Sequence, residues 1–99
     1  SHGGGAVALI YGRLEHASRM RPWAPDHLRA EGAFGRYLKR FWFDTHMHDD
    51  RALDLLIERV GTERLVYGTN FAGWDAPKRA APPKHLPLAD NARRLLRVT

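Results

Sequence analysis

Residues 41–68, FWFDTHMHDDRALDLLIERVGTERLVYG, decide the fold class. The aromatic triplet Phe41-Trp42-Phe43 reads as a buried strand, because large β-prone side chains suit a pleated, covered surface. Asp49 and Asp50 supply an N-cap and a negatively charged first turn for a helix. Ala52, Leu53, Leu56, Ile57 and Val60 then recur near a 3.6-residue period, and Gly61 is a natural stop. After Thr62 and Glu63, Leu65-Val66-Tyr67-Gly68 reads as a second short buried strand. Strand, helix and strand in that order predict parallel strands joined by a right-handed crossover, and hence an α/β protein.

Outward from this unit the pattern is less regular. Upstream, Gly3, Gly4 and Gly5 form a turn that lets backbone approach a ligand or simply turns the chain tightly. The apolar run Ala6-Val7-Ala8-Leu9-Ile10 is either a buried helix start or a core strand. Between Arg19 and Gly35, Pro22, Pro25, Gly32 and Gly35 interrupt any period, and only a short helix beginning at Asp26 is expected. Downstream, Phe71 to Pro87 is expected as loop, and a last helix capped by Asp90 runs through Asn91-Ala92-Arg93-Arg94-Leu95-Leu96. A few parallel strands with helices on one side leave sheet edges open, so the unit is expected to need more protein around it.

Composition narrows the function classes. A chain of 99 residues forms one small domain at most. A 43% apolar and 27% charged make-up is that of a soluble globular fold. No apolar run approaches the roughly 20 residues that span a bilayer, which argues against a membrane protein. The net charge of +5 comes from dispersed arginines with only a loose group at Arg93, Arg94 and Arg97. No dense basic run interleaved with aromatics supports nucleic-acid binding. The absence of cysteine excludes disulfides and thiolate metal sites and fits a cytoplasmic protein. The opening Ser1-His2-Gly3 reads as the interior of a longer product.

Three places carry chemistry. His2 stands where a strand gives way to a glycine turn, a position for a catalytic group or a histidine without a role. His46 and His48, two apart, share a face if they lie on a strand, and so either hold one metal ion or are merely solvated. Asn70 follows the last strand and offers a neutral carbonyl oxygen, or serves as a turn residue.

Five strings, in order, resemble the amidohydrolase-related metal-dependent family, in its aminocarboxymuconate-semialdehyde decarboxylase branch. They are Ser1-His2-Gly3-Gly4-Gly5, Gly12-Arg13, Phe43-Asp44-Thr45, Val60-Gly61-Thr62-Glu63-Arg64-Leu65-Val66-Tyr67-Gly68-Thr69-Asn70, and Asn91-Ala92-Arg93-Arg94-Leu95-Leu96. The resemblance implies the C-terminal part, about strands six to eight, of a (β/α)₈ barrel. It implies a divalent metal, zinc foremost, held by a strand-one pair and a strand-five histidine upstream of Ser1 and by a strand-eight aspartate. Asn70 stands at that aspartate's position and removes one negative charge from the ligand set. His2 matches the strand-six histidine that handles the proton of metal-bound water. Arg13 matches the arginine that reaches a substrate carboxylate, in some members across a homodimer interface. Asp44 to His48 also resembles the strand-one HxH pair, but the helix and strand after it resemble the barrel's end, which favours strand seven.

Two functions follow from that resemblance. The first is a fragment of a metal-dependent decarboxylase or hydrolase acting on a small carboxylate substrate. The second is a catalytically silent barrel remnant or interaction module.

Overall fold

A computed structural model describes residues 2–78 and 81–98. Among them the order is α1 (Tyr11–Met20), a 3₁₀ turn (Asp26–Leu28), α2 (Ala33–Leu38), β1 (Phe43–Asp44), α3 (Asp50–Val60), β2 (Leu65–Val66) and α4 (Leu88–Leu96). β1 and β2 are parallel, with Phe43 opposite Leu65 and Asp44 opposite Val66. His2 adds a parallel bridge to Asp44 on the other side of β1. The result is a small open α/β unit, in which three chain segments run side by side and the sheet does not close.

The central helix forms as its sequence dictates. The Asp49 carboxylate accepts the Arg51 and Ala52 backbone N–H groups at 2.9 and 3.3 Å, satisfying two donors the helix cannot. Leu53, Leu56 and Val60 form the buried stripe. At the far end Gly61, at φ +77°, donates to the Ile57 carbonyl at 2.7 Å. Leu56 and Leu65 are fully buried and meet Ala8, Leu38, Phe43, Val60 and Leu88 in one core. Strand, helix, strand and last helix thus all contribute apolar groups to a single contact surface.

The structure revises several expectations. The aromatic strand is reduced to Phe43–Asp44, with Phe41 63% exposed and outside the sheet. Likewise β2 ends at Val66, so Tyr67 and Gly68 belong to the following loop. The run Ala6–Ile10 is a series of turns leading into α1, which sequence had not bounded; Ala8 is buried and Leu9 is exposed. The helix expected at Asp26 is a single 3₁₀ turn, and α2 was not anticipated. Arg29 organises this irregular stretch, its guanidinium donating to the Arg19, Arg21, Pro22 and Ala24 carbonyls at 2.9–3.2 Å. Asp90 lies inside the first turn of α4, where it pairs with Arg93 at 2.7 Å; the N-cap is Pro87. The segment from Phe71 to Pro87 holds no helix or strand among the described residues, as expected. Ser1, at the head of the glycine string, lies outside the described residues. Among the described residues no helix is long and apolar enough to cross a membrane.

Candidate metal and proton-transfer site

The polar cluster sits where β1 and β2 end. Asp44, the last residue of β1, is its first organising point. Its Oδ2 pairs with His2 Nδ1 at 2.7 Å, while Oδ1 accepts backbone N–H groups from Gly3 at 3.2 Å and His46 at 3.0 Å. One carboxylate therefore ties the His2 segment to the loop after β1. Two close approaches make room for it. Gly3 adopts φ +55°, and a Cβ there would lie 2.6 Å from the Met47 side chain. A Cβ on Gly68 would fall 2.9 Å from Asp44 Cβ and 3.0 Å from its Cγ.

Asp75 is the second organising point. Its Oδ2 meets His46 Nε2 at 2.8 Å and His48 Nε2 at 3.3 Å, and its Oδ1 accepts the Asn70 amide at 2.6 Å. These hydrogen bonds, that of Asn70 foremost, hold its carboxyl well below the usual carboxylate range despite partial burial acting in the opposite direction. The three imidazoles adjoin one another: ring centroids are 4.7 Å apart for His2 and His46, and 4.5 Å apart for His46 and His48. The His46 side chain is only 5% exposed, whereas that of His48 is 54% exposed. A cavity of about 230 Å³ adjoins the cluster, lined by His46, His48, Tyr67, Gly68, Pro77 and Pro83 among others.

His2, His46, His48 and Asn70 are thus brought into one neighbourhood. His46 and His48 do not reach it as strand residues, because β1 stops at Asp44 and His48 has φ +55°. Asn70, also at positive φ (51°), turns the chain and directs its amide at Asp75. Arg13 lies elsewhere: on α1 it lines a separate cavity with His16, Met20 and Arg21. Asp75 escaped the sequence reading because it sits in a loop, Phe71 to Pro77, where no period marks a functional face. Its only signal is a carboxylate five residues beyond Asn70.

The donor chemistry suits a metal ion. One ligand atom each from His46, His48 and Asp75 lies within 4.8 Å of the others. Two imidazole nitrogens and a carboxylate oxygen are a common set for zinc-like divalent ions. Asn70 brings no anionic donor to the position where the resemblance implies an aspartate, and its amide is engaged with Asp75.

No family model matches the chain. Individual relatives do, and they support a partial match to an amidohydrolase-like family. One relative is 2-amino-3-carboxymuconate-6-semialdehyde decarboxylase of Dictyostelium discoideum, 32% identical over 73 residues, which are 72% of this chain and 20% of that protein. Another is the Caenorhabditis elegans protein of the same name, 38% identical over 79 residues, covering 72% of this chain and 18% of the relative. The chain spans about a fifth of the length of the curated relatives it matches.

Proposed function

We propose that the chain forms the C-terminal part of the active-site end of a (β/α)₈ barrel enzyme that decarboxylates a small carboxylate substrate. The observation that carries this reading is the cluster of His2, Asp44, His46, His48 and Asp75 at the ends of parallel strands, in a chain related to decarboxylases. In α/β barrels that end of the strands is where catalytic groups gather. The relatives' names give the substrate class: an unsaturated amino-carboxylate carrying a semialdehyde.

Loss of carbon dioxide breaks a carbon–carbon bond and leaves its electron pair on the substrate carbon, which must then take a proton. His2 delivers that proton. Asp44 fixes the imidazole through Nδ1, which leaves Nε2 as the nitrogen that exchanges protons with substrate or water. Arg13 provides a guanidinium fork for a substrate carboxylate, across the interface of a homodimer, since on its own chain it lies apart from the cluster. A bound divalent ion, zinc foremost, supplies electrostatic stabilisation of developing negative charge. The enzyme acts in the cytoplasm.

The test measures carbon dioxide release from 2-amino-3-carboxymuconate 6-semialdehyde by a protein that includes this chain and its upstream sequence. Turnover that falls by at least about a hundredfold in His2→Ala, as removal of a general acid predicts, supports the proposal. Turnover that His2→Ala leaves unchanged overturns it, and absence of turnover on this and simpler carboxylates favours a silent barrel remnant.

A further inference from the structure

We infer that His46, His48 and Asp75 form a divalent-metal site built from this chain alone, with Asn70 positioning the carboxylate instead of touching the ion. The inference goes beyond the decarboxylase reading, because it needs no residue from outside the 99 and no particular reaction.

The geometry comes first. The two histidine nitrogens approach the same Asp75 oxygen at 2.8 and 3.3 Å. Ligand atoms around a tetrahedral ion with bonds of about 2.0–2.2 Å are separated by roughly 3.3–3.6 Å. Admitting an ion therefore asks the His46 contact to widen by about 0.5–0.8 Å and the ligand atoms, all within 4.8 Å of one another, to close by up to roughly 1.5 Å around it. His48, half-exposed, and the loop carrying Asp75 can make these movements.

Charge and burial point the same way. The Asp75 carboxylate lies beside two imidazoles, one of them almost wholly buried. Buried imidazole against carboxylate suits a borderline ion such as zinc or cobalt over magnesium, which prefers oxygen ligands. The 230 Å³ cavity beside the trio leaves room for a water or substrate atom in a further position.

Asn70 completes the arrangement. Its amide donates to Asp75 Oδ1 at 2.6 Å, leaving Oδ2 directed at both imidazoles. Partners that orient a ligating carboxylate tune affinity from outside the coordination sphere. An aspartate at position 70 would face Asp75 with a second negative charge and no donor, so this placement of Asp75 depends on the asparagine amide.

Cobalt(II) titration of the full chain, followed by visible absorption and by calorimetry with zinc(II) in competition, tests the site. One ion per chain is expected, with the intense visible bands of a four- or five-coordinate centre. His48→Ala and Asp75→Ala should abolish the spectrum. Asn70→Ala should weaken binding by about tenfold while leaving the spectrum in place. The combined variant His16→Ala, His27→Ala, His85→Ala should bind as wild type does. Because a variant could fail to fold, the unmutated chain supplies an independent measurement: cobalt-induced shifts of imidazole NMR signals should be largest for His46 and His48. The inference is overturned if the chain takes up no cobalt, if His48→Ala and Asp75→Ala bind normally, or if the largest shifts fall on His16, His27 or His85. None of these readings depends on decarboxylation, so failure here and failure of the enzyme assay are separate results.

Discussion

Replacing Asn91 by alanine should unfold the chain more readily than most single changes. Asn91 is 2% exposed. Its amide donates to the Thr62 carbonyl at 2.7 Å and the Leu65 carbonyl at 2.8 Å. The Arg64 and Val66 carbonyls are taken by Phe43 and Thr45 of the β1 side. Strand carbonyls alternate in direction, so that of Leu65 points to the open edge of β2, where α4 brings Asn91 against it. The amide therefore stands in for a missing strand. Two hydrogen bonds of about 0.5–1.5 kcal/mol each are lost, and a buried carbonyl is left without a donor at about 1–3 kcal/mol more. A total of about 2–6 kcal/mol would be a large part of the stability of so small a unit. With a urea dependence of about 1 kcal/mol per molar, the midpoint should fall by roughly 2 M or more, or the chain should be unfolded at the outset. Tryptophan fluorescence, at a protein concentration where the chain is monomeric, is a sufficient assay. Asn91→Asp keeps the volume but turns an acceptor toward two acceptors, and should be at least as damaging. A change within about 0.5 kcal/mol for Asn91→Ala, the scatter of ordinary surface substitutions, would refute the reasoning.

Three further outcomes are expected. Gly68→Ala places a Cβ against Asp44 and should displace that carboxylate, costing about 1–3 kcal/mol and shifting the His2 imidazole NMR signals; unchanged His2 signals would show that the approach is not tight. Asp75 has its pKa depressed in the folded state, so its stabilising contribution is complete above the usual value of 3.8 and is lost as pH falls toward its lowered value. The stability difference between wild type and Asp75→Asn should accordingly be greatest near neutrality and shrink below pH 3.8; a difference constant from pH 7 to 2 would contradict this. Finally, the open sheet and the exposed Leu9, Phe71 and Trp74 (the last 96% exposed) should make the chain self-associate, with Phe71→Ser and Trp74→Ser shifting its elution toward the monomer. A wild-type chain that elutes as a monomer at every concentration would count against it.

How far the site was legible differs residue by residue. The resemblance to the decarboxylase branch rested on strings such as Val60 to Asn70, and the relatives agree with it. His46 and His48 were singled out for a shared face, on the premise that they occupy a strand. They do converge, but by another route: the strand ends at Asp44, and a positive φ at His48 brings both rings to Asp75. Asp44 appeared in the sequence as part of a matching string, with nothing to show that it joins His2 across 42 residues. Asn70 was recognised as a change of charge, while its hydrogen bond to Asp75 required the loop to fold back.

By itself the sequence determined what short-range physics controls. Asp49 and Gly61 bound α3, the stripe Leu53, Leu56 and Val60 chooses its inward face, and the apolar segments on either side make parallel pairing the natural outcome. Each depends on residues within a few positions of one another, where capping, periodicity and propensity act. Tertiary structure alone decided how short the strands are, that Asn91 closes the edge of β2, and that Asp75 joins the two histidines. These contacts join groups some 26 to 29 residues apart, and no local pattern encodes them. They exist only once the core has formed and carried the loop after β2 back over the loop after β1.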